Sequence, residues 1–444
     1  MHYRCSKNGR EDEAEGLLEI LSKVIKTKKI LREEFRMKLA IHGGRPVREK
    51  PFPPRIMFGE AERAAALEVM EKSMSGDQAF DRYGGVHVDA YEREMAKFYG
   101  TKYATATSSG TAAVHTALGA LRLEPTDEVI TTPITDPGTV APILFQNCIP
   151  VFADVDYHTM NITAEGIEKC ISEKTRAIIV VHLAGQSANL EPILDLAKRH
   201  NLYVIEDCAQ AHGAKYKGKY VGTFGQISAM SLMSGKHTTS GGQGGMVLTD
   251  DESLYWNAKR FADRGKPFNS TDNTILSLGN NYRMTELEAA IGRVQLEKLA
   301  ALKQKRQWIV AELKKRLTTE AIRFWQIDAQ SNPWFCFLHY DQYKMKVDKV
   351  AFAEALAKEG IPVGAHYVAP IYQQTWIRER MAYGTSGYPW TDSRARKIDY
   401  TTCCPVAEKA IANHMTLYIH EGWGEEEIAD TVRAISKVEA YYLK

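Results

Sequence analysis

Between about residue 88 and residue 250 the chain alternates short, β-rich apolar runs with stretches of helical spacing, and this alternation limits the fold more than any other feature. The runs predict strands at Tyr103–Thr107, Glu128–Pro133, Pro150–Asp154, Thr175–His182, Tyr203–Glu206, Ile227–Leu232 and Gly245–Thr249. Helical spacing falls between them at Thr111–Leu121, Asp136–Gln146, Ala164–Cys170 and Leu190–His200. The strands are apolar almost throughout rather than at every second position. Such strands are covered on both faces, as in the mostly parallel sheets of α/β proteins. Ligands of these sheets sit beyond the carboxyl ends of the strands. The loops leaving those ends are therefore the places to look for chemistry.

The flanks read differently. Leu17, Leu18, Leu21, Val24, Ile25 and Leu31 recur at helical spacing among charges, which predicts an amphipathic helix over 11–38. A proline-bearing connector (43–54) and a helix over 59–75 follow. After the β-rich region comes a long helix, Thr285–Leu317. The last part reads as a smaller α+β unit, with a strand near Trp334–His339 and helices Lys349–Glu359 and Glu425–Tyr442. The expected division is an N-terminal extension and connector (1–55), a large domain (56–310) and a small C-terminal domain (311–444), since 444 residues exceed one ordinary domain.

Bulk chemistry narrows the function classes. A hydrophobic share of 44% and a charged share of 25% suit a well-cored globular protein. A net charge of +2 argues against nucleic acid or a membrane surface as partner. No run approaches the 18 apolar residues of a membrane span, and MHYRCSKNGREDEAEG lacks the apolar core of a secretion signal. The seven cysteines are odd in number and show no CxxC pair or zinc spacing. A reduced, cytoplasmic protein without a metal is the expectation.

Three strand-end stretches hold candidate chemistry. In TSSGTAAVHTAL (107–118) a strand gives way to a small-residue turn and a helix. Free N–H groups and hydroxyls there form either an anion site or an ordinary helix cap. In VIEDCAQAHGA (204–214) a buried strand delivers Glu206 and Asp207 to its end. Asp207 either caps the next helix or pairs with a cation, for instance a protonated aromatic nitrogen. In SLMSGKHTTSGGQGG (231–245) Lys236 lies in a loop without bulky side chains. It is not a P-loop lysine, because Met230 stands where that motif needs glycine. It is either a surface lysine or a partly desolvated nucleophile able to form a Schiff base. Together the three supply what pyridoxal 5'-phosphate (PLP) requires: a phosphate site, a carboxylate for the ring nitrogen and a lysine for the aldehyde.

Over roughly residues 40–440 the chain resembles the DegT/DnrJ/EryC1/StrS sugar aminotransferases, fold type I PLP-dependent enzymes. Seven ordered segments carry the resemblance: SSGTAAVHTALGAL, PVFADVDYHTMNI, VVHLAGQSANL, IEDCAQAHGAKYKGKYVGTFG, SLMSGKHTTSGGQGGMVLTDD, LGNNYRMTELEAAIGRVQLEKL and AHYVAPIY. The resemblance implies a mostly parallel, helix-covered central sheet with a smaller C-terminal α+β domain. It implies PLP as cofactor, Lys236 as the Schiff-base lysine and proton shuttle, Asp207 against the pyridinium nitrogen, and Gln210 on the 3-oxygen. Gly110, Thr111 and Ser231 would hold the phosphate. Asn281 would reach the phosphate in a neighbouring subunit, making a homodimer with shared sites. His182, His212 and His366 are candidate substrate-side residues. The implied reaction is ping-pong transfer of an amino group from glutamate or glutamine to a keto-sugar or keto-cyclitol. A PLP-dependent elimination on a similar sugar and a non-catalytic PLP-binding regulator are the alternatives.

The chain departs from the family pattern in four places. Asp136 stands where an aromatic residue usually covers the cofactor ring. Ser234–Gly235 replaces the bulkier pair common before the lysine in nucleotide-sugar members, a pair closer to branches acting on cyclitols and amino-benzoate precursors. Gln243 replaces a carboxylate. Residues 1–38 have no counterpart.

Overall fold

The computed structural model describes residues 38–76, 84–325 and 327–444. The amphipathic helix expected over 11–38 falls almost wholly outside the described residues. The order of the main elements is α1 (Glu60–Ser75), α2 (Val86–Tyr99), β1 (Tyr103–Thr107), α3 (Gly110–Leu121), β2 (Glu128–Thr131), α4 (Pro137–Phe145), β3 (Ile149–Phe152), α5 (Ala164–Glu168), β4 (Thr175–Val181), α6 (Leu190–Arg199), β5 (Tyr203–Asp207), β6 (Lys215–Tyr216), β7 (Lys219–Tyr220), β8 (Ile227–Ser231), β9 (Gly245–Thr249), α7 (Glu252–Ala262) and α8 (Glu286–Arg316). The C-terminal part adds β10 (Ile322–Phe324), β11 (Cys336–Tyr340), α9 (Lys349–Lys358), β12 (Val363–Gly364), α10 (Pro405–Ala412), β13 (His414–Leu417) and α11 (Glu425–Tyr442).

The large sheet has the order β1-β9-β8-β5-β4-β2-β3. Pairs β8·β5, β5·β4, β4·β2 and β2·β3 are parallel, whereas β9 runs against both of its neighbours. Its inner strands β2, β8 and β9 are buried on both faces, which accounts for their near-continuous apolar character. Strand ends differ by one or two residues from the sequence reading. β2 stops at Thr131, two residues before Pro133, which has no N–H to give a ladder. Helices α2 and α7 have no counterpart in the sequence reading. α2 has a modest amphipathic signal, and α7 follows β9 after a single turn capped by Asp251.

The small sheet, β10-β11-β13-β12, is antiparallel throughout. Helix α8 joins the two sheets. Its 31 residues make a rod about 46 Å long, started by a capping box between Thr285 and Glu288. Near its start Ala289, Leu296 and Leu299 pack with Tyr91 and Met95 of α2. Near its end Ile309, Val310 and Leu313 enter the small-sheet core with Leu338, Leu417, Ile435 and Val438. A second apolar seam, with Phe152, Trp325, Phe337, Tyr372 and Tyr400, lies between the sheets. No helix among the described residues is long and apolar enough to cross a membrane.

Candidate active site

Strands β1, β5 and β8 end on one side of the large sheet, and the residues that follow them line one cleft of about 170 Å³. After β1, Ser109 caps α3, its hydroxyl accepting from the Ala112 N–H at 3.0 Å. The first N–H groups of a helix have no intrahelical partner and carry the positive end of its dipole. Gly110 and Thr111 supply them here, on the cleft wall. Gly110 is required by a close approach: a Cβ there would lie 2.5 Å from the Ser231 Cβ. Gly245, at the start of β9, is required likewise, since its Cβ would meet the Ser109 carbonyl oxygen at 2.2 Å. The loop after β1 thus folds down onto the sheet and brings Ser231 beside the helix start.

Asp207 ends β5. Its Oδ1 accepts from the Ala209 N–H at 3.0 Å and its Oδ2 from the Thr139 hydroxyl at 2.7 Å. Only 3% of the residue is exposed. Burial raises its pKa, more than these two hydrogen bonds and the Lys236 charge lower it. A cation placed against this carboxylate would relieve the cost. Next to it, the Gln210 Oε1 accepts from the Ala184 N–H at 3.0 Å, and its Nε2 donates to the Tyr367 hydroxyl at 2.8 Å. One Nε2 hydrogen is left toward the cleft that Gln210 lines.

Lys236 lies five residues beyond β8. The loop is held at both ends: Leu232 N–H donates to the Gly244 carbonyl at 2.7 Å, and Ser234 N–H to the Gly242 carbonyl at 2.9 Å. Gly235 takes φ +106°, a conformation L side chains rarely adopt. Lys236 is 7% exposed. Burial lowers its pKa, opposed by Asp207 and Asp136. The ammonium sits over the Trp334 ring, 3.8 Å from its centroid. Among the described residues no carboxylate is within ion-pair distance of it. The lysine is therefore biased toward the neutral, nucleophilic amine.

The structure brings Gly110, Thr111, Asp207, Gln210, Ser231 and Lys236 together around the cleft. The other candidates lie elsewhere. His182 is fully buried: its Nε2–H donates to Glu206 at 3.0 Å and its Nδ1 accepts from the Ala188 N–H at 3.1 Å. Its ring, Glu206 and Cys208 form a compact cluster, but the Glu206 carboxylate is already occupied by the N–H groups of Gly222, Phe224 and Gly225. His212 is also fully buried, where burial and then the Lys236 charge push its pKa down to about 3. His366 is exposed on the small unit, and Asn281 is exposed away from the cleft lining of its own chain. Asp136 lines the cleft and caps α4, one carboxylate oxygen accepting from the Gly138 N–H at 2.8 Å.

Three residues that touch the site escape the sequence reading. Thr139 fixes Asp207, and its signal is present: a hydroxyl one helical turn into α4, which begins at a strand end. Tyr367, which holds Gln210, adjoins His366, the residue that AHYVAPIY singles out instead. Trp334 comes from the segment before β11 and carries no local signal, since only the packing of the two units brings it to Lys236.

The donor set fits PLP. A buried carboxylate short of a cation and a buried amine biased toward its nucleophilic form face one cleft, beside a helix start packed tightly against Ser231. A basic ring nitrogen, an aldehyde and a phosphate answer these three needs in turn.

Residues 60–436 match the sequence model of the DegT/DnrJ/EryC1/StrS aminotransferase family. An uncharacterised protein of Methanocaldococcus jannaschii is 32% identical over 409 residues, 88% of this chain and 98% of that one. The GDP-perosamine synthase of Escherichia coli O157:H7 is 44% identical over 213 residues, 48% of this chain and 58% of that one. A putative L-glutamine:3-amino-2,3-dideoxy-scyllo-inosose aminotransferase of Micromonospora echinospora is 38% identical over 272 residues, 61% and 64% of the two chains. Among solved structures, the aminotransferase of Psychrobacter cryohalolentis superimposes with a TM-score of 0.77 at 30% identity, covering 88% of this chain and all (100%) of that one.

Proposed function

This chain belongs to the DegT/DnrJ/EryC1/StrS aminotransferase family and is a PLP-dependent aminotransferase, and from that premise we propose that it moves an amino group from glutamate or glutamine to a keto-sugar or keto-cyclitol by a ping-pong mechanism. The observation that carries the reading is that buried Asp207 and buried Lys236 line one cleft without forming an ion pair. The acceptor class is supported by relatives named for a GDP-sugar and for an amino-inosose.

PLP, when bound, supplies a carbonyl carbon for amines and an electron sink for the carbanion left when an α-proton departs. The chain does the rest. Gly110, Thr111 and Ser231 hold the phosphate, the first through backbone N–H groups and the helix dipole. Asp207 keeps the ring nitrogen protonated, and Thr139 fixes the carboxylate that does so. Gln210 directs a hydrogen toward the 3-oxygen. Lys236 Nζ would hold the cofactor through its carbonyl carbon at rest. Once released, it takes the proton from the α-carbon of the donor and returns one to the cofactor side. The same steps in reverse deliver nitrogen to the acceptor. Well-placed proton transfer is worth roughly 10²–10⁴ in rate. Asn281 is assigned to the phosphate of a second subunit in a homodimer with shared sites.

Replacing Lys236 with alanine is the direct test. The variant should bind the cofactor without the visible absorbance of the lysine-bound form and should show no turnover. Persistence of that absorbance would remove Lys236 from its role. Giving the wild-type protein glutamate or glutamine with a keto-sugar separates transfer from elimination: transfer leaves the donor nitrogen on the sugar, whereas elimination ends with a deoxygenated keto-sugar and the nitrogen released as ammonia.

A further inference from the structure

Lys236 cannot stay on the cofactor. In each half of an amino transfer its amine is displaced, must wait close by, and must then act on a proton. A carboxylate would hold the waiting amine as a locked ammonium, and open water would let it wander. The structure holds it in a third way. The Trp334 ring presents its face to Nζ at 3.8 Å from the centroid. That ring is fixed from several directions. Its Nε1–H donates to the Gly235 carbonyl at 2.8 Å, next to the lysine itself. Its backbone N–H donates to the Ala184 carbonyl at 3.1 Å. Its carbonyl accepts from the buried Arg306 guanidinium at 2.9 Å. The Lys236 carbonyl is pinned in turn by Arg55 at 2.8 Å. The backbone of the lysine and the ring are thus both immobilised, and only the four-carbon stem between them moves.

We propose that Trp334 is a positioning residue that receives the Lys236 amine whenever it is not bonded to the cofactor. An aromatic face attracts a cation yet takes no proton from it. It can therefore retain the released lysine as an ammonium without competing for the proton that lysine must later give up. The proposal rests on the amino-transfer chemistry of the family and not on which donor or acceptor is used.

The test reads an equilibrium rather than turnover. Methylamine carries no carboxylate or side chain that the cleft could select for. It exchanges with Lys236 at the cofactor carbonyl carbon: one carbon–nitrogen bond forms as the other breaks, no electrons are transferred, and the proton shed by the incoming ammonium passes to Nζ. Titration of the holoenzyme, followed by its visible spectrum, measures how readily Lys236 is displaced. In Trp334→Leu and Trp334→Met, which remove the ring face, the apparent dissociation constant for methylamine should rise about tenfold. In Trp334→Phe, which keeps a face and loses the Nε1–H, it should stay within about threefold of wild type. Near-UV circular dichroism identifies variants that are folded, and either ring-less variant suffices. Unchanged methylamine affinity in a folded ring-less variant overturns the proposal. So does an equal rise in the phenylalanine variant, which would place the effect in the hydrogen bond to Gly235. Because methylamine is indifferent to donor specificity, failure to find a glutamate- or glutamine-dependent activity would leave this result standing.

Discussion

At Asp207 and Lys236 the same physics makes two residues legible before any coordinates. A carboxylate closing an apolar strand and a lysine between two apolar runs are costly where they stand, so each must have a reason. The histidines carry no such mark. Residue type does not reveal burial, and His182 is held by Glu206 and Ala188 inside the fold. Asp136 shows how a departure from pattern can have a local cause: with Pro137 at the first helical position, it caps α4. Asp207→Asn should separate stability from function. The folded-state pKa of Asp207 is raised, so the ionised group costs stability that is lost as pH climbs through the ordinary carboxylate range. Without cofactor, the Asp207→Asn variant should therefore be at least as stable as wild type at pH 7 in denaturant titrations, while the turnover of its holoenzyme falls by about 10² or more. Gly110→Ala should cost roughly 1–3 kcal/mol in the same titrations and weaken cofactor retention, since its Cβ has no room beside Ser231.

Among the elements, the long apolar strands are readable because burial on both faces writes a continuous pattern. β10 and β12, at three and two residues, are too short to show any period. The turn after β7 depends on one side chain. Glu206, the penultimate residue of β5, accepts from Gly222 N–H at 2.7 Å, Phe224 N–H at 2.6 Å and Gly225 N–H at 2.7 Å, and from His182. Burial alone would raise its pKa, but the His182 ring and these N–H groups outweigh it and lower the pKa below the usual carboxylate value. A depressed folded-state pKa contributes stability above the unfolded value and loses it as pH falls through the folded one. Glu206→Gln should thus destabilise the protein at pH 7 by roughly 2–3 kcal/mol. Relative to wild type, the loss should shrink below about pH 4, as melting temperatures across pH 3–8 would show.

For the whole molecule, the order of the segments foretells two sheets and a connecting helix, but not which surfaces meet. Those surfaces are set by a charged junction absent from any local pattern. Glu421 accepts from Arg306 at 2.8 Å and from Arg55 at 2.8 Å, while Arg306 also donates to the Pro333 and Trp334 carbonyls and Arg55 to that of Lys236. Connector, long helix, small unit and lysine loop converge there. Burial pushes the Arg306 pKa down to about 10 even with Glu421 beside it. Glu421→Gln leaves two cations facing each other, and should lower stability by roughly 3 kcal/mol and loosen the cofactor together with the melting temperature.

The glycine contacts around the helix start bear on how this chain can change over generations. Residues 110, 231 and 245 crowd the same turn so closely that growth at either glycine meets a neighbour's atoms. A side chain at 110 meets the Ser231 Cβ and Oγ, and even glycine at 231 would leave its Cα 3.0 Å away while removing the hydroxyl beside the helix start. Each single step is disfavoured, and the reverse path is no easier. Positions 110 and 231 are therefore tied to each other, and position 245 is tied to the Ser109 backbone, which no side-chain change moves.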